Sequence, residues 1–196
     1  RLIPGEDTTI EYKPKYLDHS LISQSPSIAI GQAKQEIIRM GEYSVQGLQE
    51  AMQHINTYDK KHANTAAQIE EAINSLDQKT TEYLVSISKK SLSGHDSKVH
   101  NILLENIRDI ERIGDHMENL IELTEFIENN GAQLSEEAMQ ELNGMLELVV
   151  ETVSLAIQSL DQLDVNVAKQ VLANEDKIDD LERKLRKHHI ARLNNG

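Results

Sequence analysis

From Pro26 onward the apolar residues return every three or four positions. Ile30, Ala33, Ile37, Met40, Val45, Leu48, Met52 and Ile55 follow that step, which is the period of an amphipathic helix and not the alternation of a strand. Breaks near Asp59, at SLSGHDS (91–97), at NNGAQLS (129–135) and near Asp164 divide the rest into five predicted helices. These cover roughly 26–57, 60–92, 97–129, 135–162 and 165–193. Asp59, Asp164 and Ser135 stand at capping positions; the box begun by Ser135 is incomplete, because Ala138 occupies the place of its acid. Pro4, Pro14 and Pro26 are the only prolines. Residues 1–25 therefore read as an irregular lead-in, with Pro26 at the first helical position behind Ser25.

The chain also resembles itself. Shifting it by 105 residues, so that Ala33 meets Ala138, gives 14 identities without a gap over residues 33–79, where chance gives about three. Glu36/Glu141, Met40/Met145, Val45/Val150, Asp59/Asp164, Glu70/Glu175, Ile73/Ile178 and Lys79/Lys184 are among them. Core positions and the cap between two helices coincide, as in a duplicated unit. The expected architecture is all-α: an antiparallel three-helix bundle over 26–131 and a second unit over 132–196 that lacks its third helix. The apolar run MLELVVETVSLAI (145–157) then needs a partner, either a second copy in a homodimer or the first unit.

Composition makes the core aliphatic. Aromatics are 3% of the 196 residues against 38% hydrophobic, with one Phe and no Trp. The absence of cysteine rules out disulfides, thiolate metal sites and thiol nucleophiles. A formal charge of −13 argues against a nucleic-acid partner, since that affinity comes from Lys and Arg on phosphates. No run of about 18 apolar residues occurs, so no direct membrane insertion is expected. The start at Arg1 and the end at RLNNG are those expected of a segment of something longer.

Candidate chemistry lies in NIRDIERIGDHMENLIEL (106–123). At about 100° per residue, Leu103, Ile110, Ile113, Met117 and Leu120 share one buried arc, and Glu111, Asp115, Glu118 and Glu122 share the far side. Like charges four residues apart on a helix cost about 0.2–0.5 kcal/mol per pair unless a cation sits on them. An oxygen-only set suits Mg²⁺, Ca²⁺, Mn²⁺ or iron, and Glu70 or Asp77 on a neighbouring helix could add a donor. The plain alternative is a solvated acidic face. Glu175 with Asp179 repeats the spacing on the last helix, while Asn74 stands at the first-unit position that matches Asp179. His54, His62, His95 and His100 lack partners at ligand spacing, and adjacent His188 and His189 face different directions. No phosphate loop or nucleophile motif occurs, so no enzyme is predicted.

NIRDIERIGDHMENL resembles the signature helix of PhoU proteins, regulators of bacterial phosphate uptake built from two three-helix units. The resemblance implies metal ions, iron clusters among them, at Glu111 and Asp115, with Glu175 and Asp179 as the counterpart. PKYLDHSLISQSPSIAIGQAKQEIIRMG (14–41) is similar to the join between the membrane part of bacterial sodium/phosphate cotransporter proteins and their cytoplasmic PhoU-like tail. On that resemblance residues 1–25 are a linker after a membrane domain, and the chain is a regulatory domain on the cytoplasmic side of the plasma membrane. Its partner is the transporter itself. The alternative is a free-standing PhoU regulator of an ABC phosphate transporter and its signalling kinase; a metal-dependent hydrolase is the third class.

Overall fold

The computed structural model describes residues 10–195, so the first nine residues of the predicted linker lie outside the described residues. It is all-helical: α1 Leu21–Gln24, α2 Pro26–Thr57, α3 Lys60–Ser88, α4 Gly94–Asn129, α5 Glu136–Gln162 and α6 Val165–Asn195. The five long helices fall where periodicity places them. The turn between α3 and α4 differs. α3 stops at Ser88, and α4 begins three residues earlier than predicted, because Ser93 caps it by accepting from the Asp96 N–H at 3.0 Å. Pro26 does open α2, although Ser25 makes no side-chain cap bond.

The duplication is visible in the backbone. The described non-glycine residues with positive φ are Tyr58 (55°) and Leu163 (53°), which lie 105 apart. Each ends the first helix of its hairpin in the left-handed region, and each is followed by an Asp. Asp59 accepts from the Lys61 N–H at 2.9 Å and Asp164 from the Asn166 N–H at 2.7 Å. The same local chemistry thus turns α2 into α3 and α5 into α6.

α2, α3 and α4 enclose one aliphatic core in which Ile37, Met40, Ile69, Ile73, Leu76 and Ile107 are buried. Each such side chain contributes roughly 1.5–3 kcal/mol of burial. His100 belongs to this core, and its Nε2–H donates to the Leu84 carbonyl at 2.8 Å. The run on α5 finds its partner within the chain. Val149, Val150, Val153 and Leu160 pack on the first unit's core, while Lys34 donates to the Asp161 carbonyl at 2.8 Å and Asn56 and Asn143 exchange amide bonds at 2.9 and 2.7 Å. These pairs make α5 antiparallel to α2, and α6 packs on α5.

Two glycines set these approaches. A Cβ on Gly41 would stand 2.6 Å from Ile157 Cγ1, and one on Gly47 would stand 2.0 Å from Met117 Sδ and 3.1 Å from Ile69. The described lead-in is irregular apart from α1, yet it is seated rather than loose. Glu36, fully buried, accepts from the N–H groups of Lys15 (2.8 Å) and Tyr16 (3.0 Å) and pairs with Arg39.

Gly47→Ala should lower the urea midpoint even though Ala is about 1 kcal/mol the better helix former, because buried Met117 must be displaced. Gly31→Ala, with nothing within 4 Å of the new Cβ, should raise it. Equal responses at the two positions would contradict the packing described.

Candidate functional site

Several of the acidic residues meet along the seam between α3 and α4. Gly114 is buried there, and a Cβ added to it would stand 3.9 Å from Glu70 Cγ and from Ile73. Around that contact Glu70 of α3 comes near Asp115 and Glu118 of α4. A groove of about 210 Å³ follows the seam, with Ala66, Ala67, Met117 and Ile121 as floor and Glu70, Glu71, Glu118 and Glu122 as walls. The stripe therefore does not face solvent alone, as its helical angle predicts. Its edge borders α3, because the helices cross closely enough for carboxylates outside the core to oppose one another.

Glu70 registers that crowding. Burial pushes its carboxyl above the ordinary glutamate range, and the charges of Glu118, Asp115 and Glu71 push the same way. Asn74 partly offsets them by donating its amide N–H to Glu70. The residue that replaces an expected acid thus stabilises the neighbouring one.

The other predicted residues are dispersed. Glu111 is half-buried and Asp115 exposed on α4. Asp77 is half-buried on α3, where its carboxylate accepts from the Thr81 hydroxyl at 3.0 Å. Glu175 and Asp179 are exposed on α6, which packs on α5. Among the described residues no three Asp, Glu or His side chains converge where they could hold one metal ion. The donors are oxygen-only, the type a hard cation needs, but they do not form a closed cage. Helical spacing reveals the Glu111, Asp115, Glu118 and Glu122 stripe. It misses Glu71 and the apolar floor, which depend on the α3/α4 register. It also misses Glu36, whose only sequence signal is its identity with Glu141 across the repeat.

The pH dependence has a definite sign. A carboxyl raised in the folded state binds its proton more tightly there, so the stability it contributes is present below its unfolded value and lost as pH rises through the folded value. Glu70→Gln in chelator-treated buffer should therefore be more stable than the parent at pH 7. The gap in urea midpoint should narrow on acidification to pH 4. A gap that widens would contradict the crowding at Glu70.

Known proteins match this chain along both hairpins. The model of the PhoU domain family matches residues 37–124 and 142–196. A Salmonella typhimurium protein, provisionally named inorganic phosphate export protein YjbB, is 22% identical over 191 residues, 97% of this chain and 34% of its own length. A Xylella fastidiosa protein named phosphate-specific transport system accessory protein PhoU homolog is 28% identical over 144 residues, 74% of this chain and 60% of its own length. The chain thus spans about a third of the first relative and three fifths of the second. No solved structure matches it.

Proposed function

Because the chain belongs to the PhoU family, whose domain model falls on both of its helical units, we propose that it is a regulatory accessory of phosphate transport across the bacterial plasma membrane, acting from the cytoplasmic side. The observation that carries this reading is the coincidence of the two matched segments with the structural repeat: 37–124 lies within α2 to α4, and the described part of 142–196 lies along α5 and α6. The names of both relatives concern phosphate transport, and neither names an enzyme. No described helix is long and apolar enough to cross a membrane, so the chain would act on phosphate movement through a transporter that it touches. Its acidic surface repels phosphate, which leaves binding and signalling as its work.

Two arrangements deliver that function. An accessory protein that acts on a separate transporter is the better supported, through the Xylella fastidiosa relative of higher identity. A domain tethered to a sodium-dependent transporter is the second reading. It is favoured by the match that takes in 97% of this chain within a third of an export protein. Deleting the coding segment should change ³²P-phosphate flux through the cell membrane severalfold in either case. Restoration by the chain supplied in trans supports the accessory, and restoration only by in-frame fusion supports the tether. Unchanged flux on deletion would defeat both.

A divalent or iron cation on the α4 stripe belongs to the same reading. Glu111 and Asp115 would hold it with Glu70 and water completing the shell, and the ion would relieve the repulsion along the groove. Mn²⁺ should then raise the melting temperature of the parent by ligand linkage. In Glu111→Ala/Asp115→Ala that rise should vanish, and the metal-free variant should be at least as stable as the parent. Equal Mn²⁺ shifts in both proteins would remove these two residues as ligands.

A further inference from the structure

α6 has two unlike sides. Val167, Asn174, Ile178, Leu181 and Leu185 are buried or half-buried toward α5, the helix on which α6 packs. At about 100° per residue, the opposite side carries first the acids Glu175, Asp176 and Asp179 and then the bases Arg183, Arg186 and Lys187, all exposed. Leu172 and Ile190 close the two ends of this stripe and are 61% and 52% exposed. No ion pair among the described residues engages Glu175, Asp176, Asp179 or Lys187.

The order of the charges is its own complement. Arg183 stands as far after Leu181 as Asp179 stands before it, and the same holds for Arg186 with Asp176, Lys187 with Glu175 and Ile190 with Leu172. Two such helices laid antiparallel about a two-fold axis at Leu181 set a base against an acid at every one of these charged positions, and an isoleucine against a leucine at both ends. Asp180 and Glu182, next to the axis, lie at the edges of the stripe and are bonded to Arg183 and Arg186 of their own helix. Such exposed pairs are weak, so both arginines can also reach across. The first unit lacks the pattern: 105 positions earlier, α3 has Gln78, Thr81 and Glu82 where α6 has Arg183, Arg186 and Lys187. It also shows which side stays free, because Ala67, Asn74, Gln78, Glu82 and Val85 are exposed although α4 packs on α3. The matching side of α6 is therefore not the one on which the third helix of a unit packs.

We propose that the outer face of α6 is a self-recognition surface, and that its occupant is α6 of a second copy of this chain in a two-fold, antiparallel pair. Asp179 of each copy meets Arg183 of the other, Asp176 meets Arg186, and Glu175 meets Lys187, as an isologous contact requires. The run on α5 is not its seat, since that run packs on the first unit's core. From Leu172 to Ile190 the contact spans about 27 Å of helix, which is small beside a standard interface. The dimer is therefore weak, is held chiefly by charge, and forms where copies are concentrated and salt is low. This goes beyond the regulatory reading of the chain and needs neither phosphate nor metal.

Sedimentation of the 196-residue chain in low-salt buffer should show a dimer that grows with concentration and dissociates at about 1 M NaCl, where the Debye length is about 3 Å. Arg183→Glu/Arg186→Glu/Lys187→Glu makes the stripe wholly acidic, and Glu175→Lys/Asp176→Lys/Asp179→Lys makes it wholly basic. Each should be monomeric at parental helix content by circular dichroism, and an equimolar mixture of the two should regain the dimer. A parent that stays monomeric at every concentration overturns the proposal, as do dimers that persist in both variants or a mixture that stays monomeric. The register is tested without altering a charge, because the chain has no cysteine of its own. Leu172→Cys mixed with Ile190→Cys should form a mixed disulfide faster than either variant links to itself. Faster self-linking by either variant would overturn the antiparallel pairing.

Discussion

How closely other helices can approach α2 governs the whole arrangement, because α3, α4 and α5 all pack on it. Interaxial separation depends on the side chains at the contact, and α2 places Ala33, Gly41, Gly47 and Ala51 there, all buried. The space at Gly47 receives Met117 of α4, and the space at Gly41 receives Ile157 of α5. Bulkier residues at these two places would push α4 and α5 outward. The core shared by the two units would then lose the side chains of α5 that now close it.

A buried charge fixes what lies outside that core. Glu36 is fully removed from water, which is costly for a carboxylate unless it is paired and hydrogen-bonded. Arg39 and two backbone N–H groups of the lead-in meet that requirement. The carboxylate therefore needs the strap as much as the strap needs it, and a segment without regular structure acquires one course over α2 and α3. Its counterpart Glu141 sits in a wetter place and is satisfied by flexible side chains from the end of α6. One duplicated residue thus has two environments, and the difference lies in what each hairpin was given to hold.

The acids of α3 and α4 show the opposite balance. They carry no comparable set of donors, and the burial that raises Glu70 is reinforced by three neighbouring carboxylates. Repulsion of this kind is a modest cost to the fold. It is concentrated along a seam with an apolar floor rather than spread over the surface, and any cation reaching it acts directly on the contact between two core helices.

Sequence alone determined the helices, their order and the duplication, because each follows from local rules. Apolar period sets the helix faces, Asp and Ser set the starts, and residues 105 apart repeat the same turn at Tyr58 and Leu163. It also determined which carboxylates share a face of α4. Tertiary structure alone decided what those carboxylates meet, since a groove between α3 and α4 depends on how two helices are rotated and staggered. The seating of the lead-in was equally illegible. Its bonds join peptide groups to side chains 20 or more positions away, and a backbone N–H looks the same in every sequence until a fold brings an acceptor to it.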